Sequence, residues 1–457
     1  MSGGSPCTAC EQLVLLDKKI KDTLNVLQQF QEAAFELKSQ RNRQHDLLVN
    51  RLPTELLGRP LIRDQEKCKQ PSWKTKSSTW RLSRVCRAWR DIIRCTRQLW
   101  TSIVVDVDEE DRGYAEFIND LFQRSGALPV WVKLYQPIRR YTSCSREGLP
   151  SPHTTRLLEI VNTHSGRWKS SRTDIEPRIL QYVCGNPAST TCCLALFHGA
   201  QALTHLTLGE FWLDYDLPSK PSKPVVHAAL RAFKIDDEGK HIGRLLDVLQ
   251  LPSLEEMHID HHNTDPLTDL ITRSGCRLQH LTVKMPGDFD RPADGENGMI
   301  HLLEHTPSLL ALALQTTFVT DLLFRRLGPP TREASPTSAD SNKQGPAFLP
   351  LLHTLAIHVF LNFDFEWHSI ANMFSPSADS LGSARQALKN FELQIYGKVG
   401  DPHPPQGSDL FKIEEDSAKR LLAVRENGIN VTILDPRNYE MLVASDSISP
   451  SAPANSV

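Results

Sequence analysis

The chain has 457 residues, of which 40% are hydrophobic and 23% charged, and its formal net charge at pH 7 is −2. This length provides enough apolar material for two or three domains, each with its own core. The balanced charge excludes a global electrostatic preference for nucleic acids, membranes or acidic substrates.

The cysteines and the hydropathy pattern indicate the cellular compartment of the protein. The ten cysteines follow no disulfide spacing, and no basic, apolar leader precedes them. We therefore expect a reduced protein inside the cell, in the cytoplasm, the nucleus or both. No apolar run approaches the roughly 18 residues that a membrane-spanning helix requires, so we expect no membrane partner.

The first element predicted is a long helix over residues 11–50, after a disordered start at 1–10. The helical segment contains neither Gly nor Pro, and its apolar residues recur with heptad spacing along one seam. The seam consists of Leu13, Leu16, Ile20, Leu27, Phe30, Ala34, Leu37 and Leu48, with Thr23, Arg41 and Gln44 as polar exceptions. Either this coiled-coil-type seam associates with a second copy of the chain, or it folds back on the chain's own body.

Residues 82–103 predict an amphipathic helix that is followed by a Leu-Trp segment. The apolar face consists of Leu82, Val85, Cys86, Trp89, Ile92 and Ile93, and arginines occupy most of the other face. Upstream, Leu52-Pro53-Thr54-Glu55-Leu56-Leu57 predicts the start of another helix, because Pro is tolerated in a first helical turn.

The order of these motifs resembles the F-box, in the form found in a large family of F-box-like proteins of basidiomycete fungi. Members of that family often carry a long helix ahead of the module. The resemblance implies a small all-α module at residues 51–105 that docks on the Skp-type adaptor of cullin-RING (SCF-type) ubiquitin ligases. The implied adaptor-binding residues are Leu52, Pro53, Leu56, Leu57, Leu82, Val85, Cys86, Trp89, Ile92, Leu99 and Trp100.

The chain departs from the family pattern at Gly58-Arg59-Pro60, which ends the first helix near Leu57. A polar insertion at 59–79 follows, so either a loop is inserted or this copy of the module has lost docking strength. Residues 59–97 contain twelve Lys or Arg against three Asp or Glu. This block could meet an acidic partner or a phosphate backbone, but Trp73 and Trp80 alone define no stacking platform for nucleic acid.

From residue 106 to 440 the pattern changes to short strands that alternate with helices. The form Leu-x-x-Leu-x-Leu begins at 203, 230, 254 and 278, and again at 309, 352 and 388. The first four copies are 27, 24 and 24 residues apart, within the range of leucine-rich repeats. We therefore predict the α/β class, with an irregular leucine-rich-repeat solenoid that has a parallel sheet and outer helices. Residues 328–346 and 441–457 are predicted to be disordered.

The predicted function is protein recognition. The resemblance implies a noncatalytic substrate-recognition subunit, whose solenoid holds a target protein while the module binds the adaptor. The alternative within binding functions is a repeat scaffold that no longer engages the ligase. The candidate target-binding residues are the positions between apolar strand residues: Thr204, Thr207, Glu255, His258, Gln279 and Thr282.

A catalytic alternative rests on His301-Leu302-Leu303-Glu304-His305, which fits the inverted zincin motif H-x-x-E-H of zinc hydrolases. The same residues also fit the end of a repeat helix, and no third ligand can be identified. Cys7-x-x-Cys10 has ligand spacing but no second pair, and His258, His261 and His262 lack a Cys or carboxylate to complete a shell. We expect no catalytic residue, no cofactor and no metal site.

Overall fold

The computed structural model describes residues 7–45, 83, 87–137, 150–180, 182–183, 194–209, 224–236, 242–260, 263–285, 292–328, 348–374, 388–396, 413–435 and 440–444. Two compact units are distinguished, residues 1–104 with 119–131, and residues 105–118 with 132–457. No described helix is both long enough and apolar enough to cross a membrane.

The helices in the described ranges are α1 (Thr8–His45), α2 (Arg87–Cys95), α3 (Tyr114–Ser125), α4 (Pro152–Thr163), α5 (Pro177–Leu180), α6 (Leu194–Gly199), α7 (Ile242–Val248), α8 (Asp265–Ser274), α9 (Pro292–Glu304), α10 (Asp321–Leu327), α11 (Trp367–Met373), α12 (Glu415–Glu426) and α13 (Met441–Ala444). Two short 3-10 turns lie at Arg97–Trp100 and Ser165–Arg167.

The strands are β1 (Ser102–Asp106), β2 (Val130–Tyr135), β3 (Trp168–Asp174), β4 (His205–Leu208), β5 (Val225–Val226), β6 (Ala232–Ile235), β7 (Leu249–Gln250), β8 (Glu256–Asp260), β9 (His280–Lys284), β10 (Ala311–Thr320), β11 (Thr354–Asp364), β12 (Asn390–Tyr396) and β13 (Asn430–Leu434).

Eleven of these strands form one open sheet in the order β1-β2-β3-β4-β6-β8-β9-β10-β11-β12-β13. From β3 to β13 each strand pairs in parallel with its neighbour in this order. Parallel neighbours require crossover connections, and helices such as α8 between β8 and β9 supply them. The predicted α/β class with a long parallel sheet is therefore confirmed.

The apolar spacing explains where the strands lie. Each of the seven Leu-x-x-Leu-x-Leu segments coincides with a strand of the sheet, and all three apolar residues of each segment are buried. In β4, for example, Leu206 and Leu208 face the core, while His205 and Thr207 alternate with them on the other face.

The amino ends of the strands repeat one backbone arrangement. The carbonyl oxygen of Thr204 accepts hydrogen bonds from the N–H groups of Arg231 and Ala232, at 2.8 and 3.0 Å. The carbonyl of Glu255 does the same for Gln279 and His280. The arrangement fixes the register of successive strands, so residues at equivalent strand positions are aligned across the sheet.

One predicted helix is shorter than its pattern indicates. The sequence places Leu249 on the apolar face of a helix with Ile242, Leu245 and Leu246. The helix α7 ends at Val248, and Leu249 belongs to β7, which pairs with β5 in a separate two-stranded parallel sheet. Leu249 is fully buried there, since a short strand pairing satisfies its backbone while its side chain stays in the core.

The limits of the N-terminal helix and of the tail also differ from the sequence prediction. Helix α1 begins at Thr8, inside the segment predicted to be disordered, because the Cys7 carbonyl already accepts the Cys10 and Glu11 N–H groups. At the other end, α13 occupies the first residues of the predicted disordered tail, and its Leu442 is fully buried. The rest of that tail, residues 46–50 and residues 329–346 lie outside the described residues.

Candidate functional site

The strands present a continuous polar face opposite the buried core. Two rows of side chains cross this face at right angles to the strands, and their members are equivalent residues of successive strands. The middle row consists of Arg172, Thr207, Lys234, His258 and Thr282 in β3, β4, β6, β8 and β9. The end row, two residues further along each strand, consists of Asp174, Gly209, Asp236, Asp260 and Lys284.

Asp174 is paired with two basic groups. Its Oδ2 lies 3.0 Å from the Lys133 ammonium and 2.9 Å from Nε of Arg172. These side chains are half-buried, which reduces water screening relative to a fully exposed pair. The carboxylate is thereby held over the neighbouring strand, where Gly209 has no side chain.

Asp236 forms the second charged cluster of the face. Its Oδ1 lies 3.1 Å from the Lys234 ammonium and 3.4 Å from Nε2 of His258. Burial raises the pKa of the Asp236 carboxyl, but the interactions with His258 and Lys234 outweigh burial and lower the pKa to about 2. Asp236 is therefore ionised throughout the neutral range.

The third pair joins Asp260 and Lys284 at 3.7 Å on the next two strands. The face thus carries alternating carboxylates and cations that are partly accessible to solvent. Groups of this kind can exchange a neighbour for a complementary charge on a protein partner. None of the three clusters contains a nucleophile with an adjacent base, so the arrangement fits recognition better than covalent catalysis.

The structure divides the six predicted target-binding residues into two sets. Thr207, His258 and Thr282 lie together in the middle row of the polar face. Thr204, Glu255 and Gln279 instead precede their strands, where their carbonyls link successive strands. The side chain of Thr204 donates to the Lys169 carbonyl at 2.9 Å, and Glu255 pairs with Arg231 at 3.3 Å.

Sequence reasoning missed the charged residues that lie between and beside the predicted set: Arg172, Asp174, Lys234, Asp236, Asp260 and Lys284. The sequence carries a signal for Lys234, Asp236, Asp260 and Lys284. Each occupies an alternate position in, or directly after, a strand pattern of alternating apolar and polar residues. Which of them meet depends on the alignment between strands, and a single strand does not specify that alignment.

The predicted adaptor-binding residues fall into three groups. Trp89 and Ile92 are half-buried on α2, so part of each side chain remains accessible. Leu99 and Trp100 are buried in the 3-10 turn, where Nε1 of Trp100 donates to the Ile93 carbonyl at 2.8 Å. The remaining candidates, Leu52, Pro53, Leu56, Leu57, Leu82, Val85 and Cys86, lie outside the described residues, as do Gly58-Arg59-Pro60 and the insertion at 59–79.

The inverted zincin motif lies at the exposed end of α9. The rings of His301 and His305 are 4.7 Å apart, and Nδ1 of His305 is 2.8 Å from the His301 carbonyl. Glu304 pairs with Arg326 at 3.5 Å. Within the described ranges, no group of three or more His, Cys, Asp or Glu residues is placed to hold a metal ion; His261 and His262 lie outside those ranges.

A separate pocket of about 210 Å³ is lined by residues that include Tyr114, Arg112 and His153. The Tyr114 hydroxyl accepts a hydrogen bond from the Asp106 N–H at 2.9 Å, and burial raises the pKa of this hydroxyl well above its usual value. Tyr114 is therefore a neutral structural group rather than a catalytic base.

Comparison with models of protein families and with curated protein sequences finds no match to this chain. The functional assignment therefore depends on the polar face and on the order of the sequence motifs.

Proposed function

We propose that the chain is a substrate-recognition subunit of an SCF-type cullin-RING ubiquitin ligase. The observation that carries this proposal is the polar face, with its aligned rows of half-exposed, paired charges on successive parallel strands. An extended face of this kind offers a partner many weak contacts, whereas a small-molecule enzyme concentrates its polar groups in a cleft.

In this proposal the repeated strands form a leucine-rich-repeat solenoid, and its polar face binds the target protein. Lys234, Asp236 and His258 form the centre of the proposed contact region. A target with complementary charges would replace the internal partners of these residues, which favours charge-selective recognition. Target lysines would then be held near a ubiquitin-loaded enzyme at high effective concentration.

The adaptor would bind the F-box-like module. Support comes from the motif order in the sequence and from α2, on which Trp89 and Ile92 retain accessible apolar surface. Aromatic side chains at the centre of an interface commonly carry much of its binding free energy. The buried Leu99 and Trp100 would act indirectly, by stabilising the turn that follows α2.

A binding assay with a purified Skp-type adaptor tests the proposal. The full-length chain is immobilised and its retention of adaptor is measured by interferometry. We expect the intact chain to bind and Trp89→Asp to weaken binding by at least about tenfold, because the substitution places a charge in an apolar contact. Arg94→Ala, an exposed position on the same helix, should leave binding within about twofold.

A second variant protects the test against misfolding. Ile92→Ser is milder and should also weaken adaptor binding, while far-UV circular dichroism verifies that each variant keeps its helices. Absence of binding by the intact chain contradicts the proposal, and so does unchanged binding by both variants. The first result would favour the repeat scaffold without a ligase, which Gly58-Arg59-Pro60 already makes the main alternative.

A further inference from the structure

We propose that α1 associates with α1 of a second copy of the chain in an antiparallel coiled coil, in which Ile20 of one copy faces Phe30 of the other. The proposal concerns self-association and stands apart from adaptor docking and target binding. It rests on the exposure of the heptad seam and on how the seam residues match each other in the two possible orientations.

The seam of α1 is an extended apolar surface. The helix has 38 residues, which corresponds to a length of about 57 Å. The large seam side chains remain 51–69% exposed: Leu13, Leu16, Ile20, Leu27, Phe30 and Leu37. An apolar stripe from Leu13 to Leu37, with Thr23 as its polar exception, on a helix without Gly or Pro indicates a partner helix.

A parallel pair of identical helices fits this seam poorly, because every seam residue would face its own copy. Phe30 would meet Phe30, and one turn later Ala34 would meet Ala34, so an overfilled layer would lie beside a hollow one. Arg41 occupies a core position, and a parallel pair would place two Arg41 guanidinium groups opposite each other.

The antiparallel register that places Leu13 opposite Leu37 of the second copy removes these conflicts. In that register Leu16 faces Ala34, Ile20 faces Phe30, and Thr23 faces Leu27. No layer then contains two small residues or two aromatic rings, so layer volumes are more even than in the parallel pair. Arg41 lies opposite Ala9 at the end of the pair, where its long side chain can reach water.

Two further apolar residues beside the seam agree with this register. Leu24 and Val26 are 59% and 48% exposed although neither is a core heptad position. An antiparallel pair has a twofold axis near its middle, so Leu24 faces Leu24 of the second copy on one side and Val26 faces Val26 on the other. A parallel pair would instead place Leu24 against Lys19 and Val26 against Gln31.

Sedimentation equilibrium of the full-length chain tests whether the seam self-associates. The chain mass is 51.5 kDa, and we expect a species of twice that mass. A reducing agent is included, because Cys7 and Cys10 are exposed thiols. Ile20→Glu should weaken the dimer by at least about tenfold. The matched control Phe35→Glu also replaces an exposed apolar residue of α1 (75% exposed), but it lies off the seam and should leave the dimer intact.

Charge pairs test the orientation. Leu13→Glu and Leu37→Lys should each weaken the dimer, and the double variant should restore it, since each introduced carboxylate then faces an introduced ammonium across the pair. An equimolar mixture of the two single variants should also form dimers. In a parallel pair, the double variant would place like charges opposite each other, so it would remain monomeric.

Each outcome decides the proposal. A monomeric full-length chain overturns it, and so does a dimer that survives Ile20→Glu or dissociates equally with Phe35→Glu. A double variant that stays monomeric while Leu13→Glu and Leu37→Lys retain their helix content overturns the antiparallel register. Adaptor binding by Leu13→Glu is expected to match the unmodified chain, which separates failure of this inference from failure of the proposed ligase role.

Discussion

The carboxylate of Asp174 lies over Gly209, in the space that a side chain on the neighbouring strand would occupy. A Cβ atom at position 209 would collide with this carboxylate and press against the Thr173 carbonyl at 3.3 Å. Gly209 therefore has a steric role at the polar face, since its missing side chain lets Asp174 stay between Lys133 and Arg172.

We predict that Gly209→Ala destabilises the chain by about 1–2 kcal/mol, because Asp174 must rotate away from its two cations. Urea denaturation followed by circular dichroism measures the change. Gly166→Ala is the matched control, since a Cβ there meets no atom within 4 Å. In an Asp174→Ala background the cost of Gly209→Ala should shrink, and an equal cost in both backgrounds would contradict the steric explanation.

A second prediction concerns the acid stability of the polar face. The pKa of Asp236 is lowered from 3.8 to about 2 in the folded chain, so the folded state holds this proton less tightly than the unfolded state does. Its contribution to stability is therefore present above about pH 4 and is lost as the pH falls through about 2. Asp236→Asn should be less stable than the unmodified chain at pH 7.

The stability difference between the two proteins should shrink as the pH falls from about 4 to about 2. Equilibrium urea denaturation at a series of pH values measures this. Glu366→Gln is a suitable control, because Glu366 is an exposed carboxylate that pairs with the exposed His368. A difference that stays constant from neutral to acid pH would mean that Asp236 acts through packing rather than charge.

The strand positions are predictable from the sequence because burial imposes a short apolar period that is visible within each segment. Leu254, Met257 and Ile259, for instance, indicate β8 without knowledge of any neighbour. The polar face is less predictable. Thr204 and Thr207 both lie between apolar residues of the same segment, yet the strand begins only at His205. Thr207 therefore lies on the polar face, whereas Thr204 links neighbouring strands through its carbonyl.

Side-chain contacts between neighbouring strands cannot be predicted from the pattern of a single segment. Asp236 meets His258 because β6 and β8 align Lys234 with His258, and that alignment is set by backbone hydrogen bonds between the strands. Likewise, Leu249 fits a helical pattern but pairs with Val225 in a strand, because a tertiary partner overrides the local preference.

A third prediction concerns the inverted zincin motif. We expect the double variant His301→Ala/His305→Ala to bind the same amount of zinc as the unmodified chain. The physical reason is that Glu304 pairs with Arg326 and Nδ1 of His305 contacts the His301 carbonyl. The zinc content of both proteins is measured by plasma mass spectrometry after zinc loading and dialysis. If the unmodified chain retained stoichiometric zinc and the variant retained none, the result would support the zinc hydrolase alternative.

A fourth prediction tests the role of Trp100 in the 3-10 turn after α2. Trp100→Phe keeps an aromatic ring beside the Arg124 guanidinium, which lies 4.8 Å from the indole ring centre, but it removes the hydrogen bond to the Ile93 carbonyl. We expect a loss of about 1–2 kcal/mol, the cost of a missing buried hydrogen bond plus a small cavity. Denaturant midpoints from far-UV circular dichroism give this value without dependence on tryptophan emission.

Two companion variants identify which contact of Trp100 matters. Gln98→Ala changes an exposed side chain of the same turn and should leave the midpoint unchanged. Arg124→Leu removes the cation above the indole ring together with the ion pair to Asp120 at 2.7 Å, and it should cost less than about 1 kcal/mol, because water screens the partly exposed guanidinium. If Arg124→Leu proved as costly as Trp100→Phe, the cation contact rather than the Ile93 hydrogen bond would be the main stabiliser of this turn.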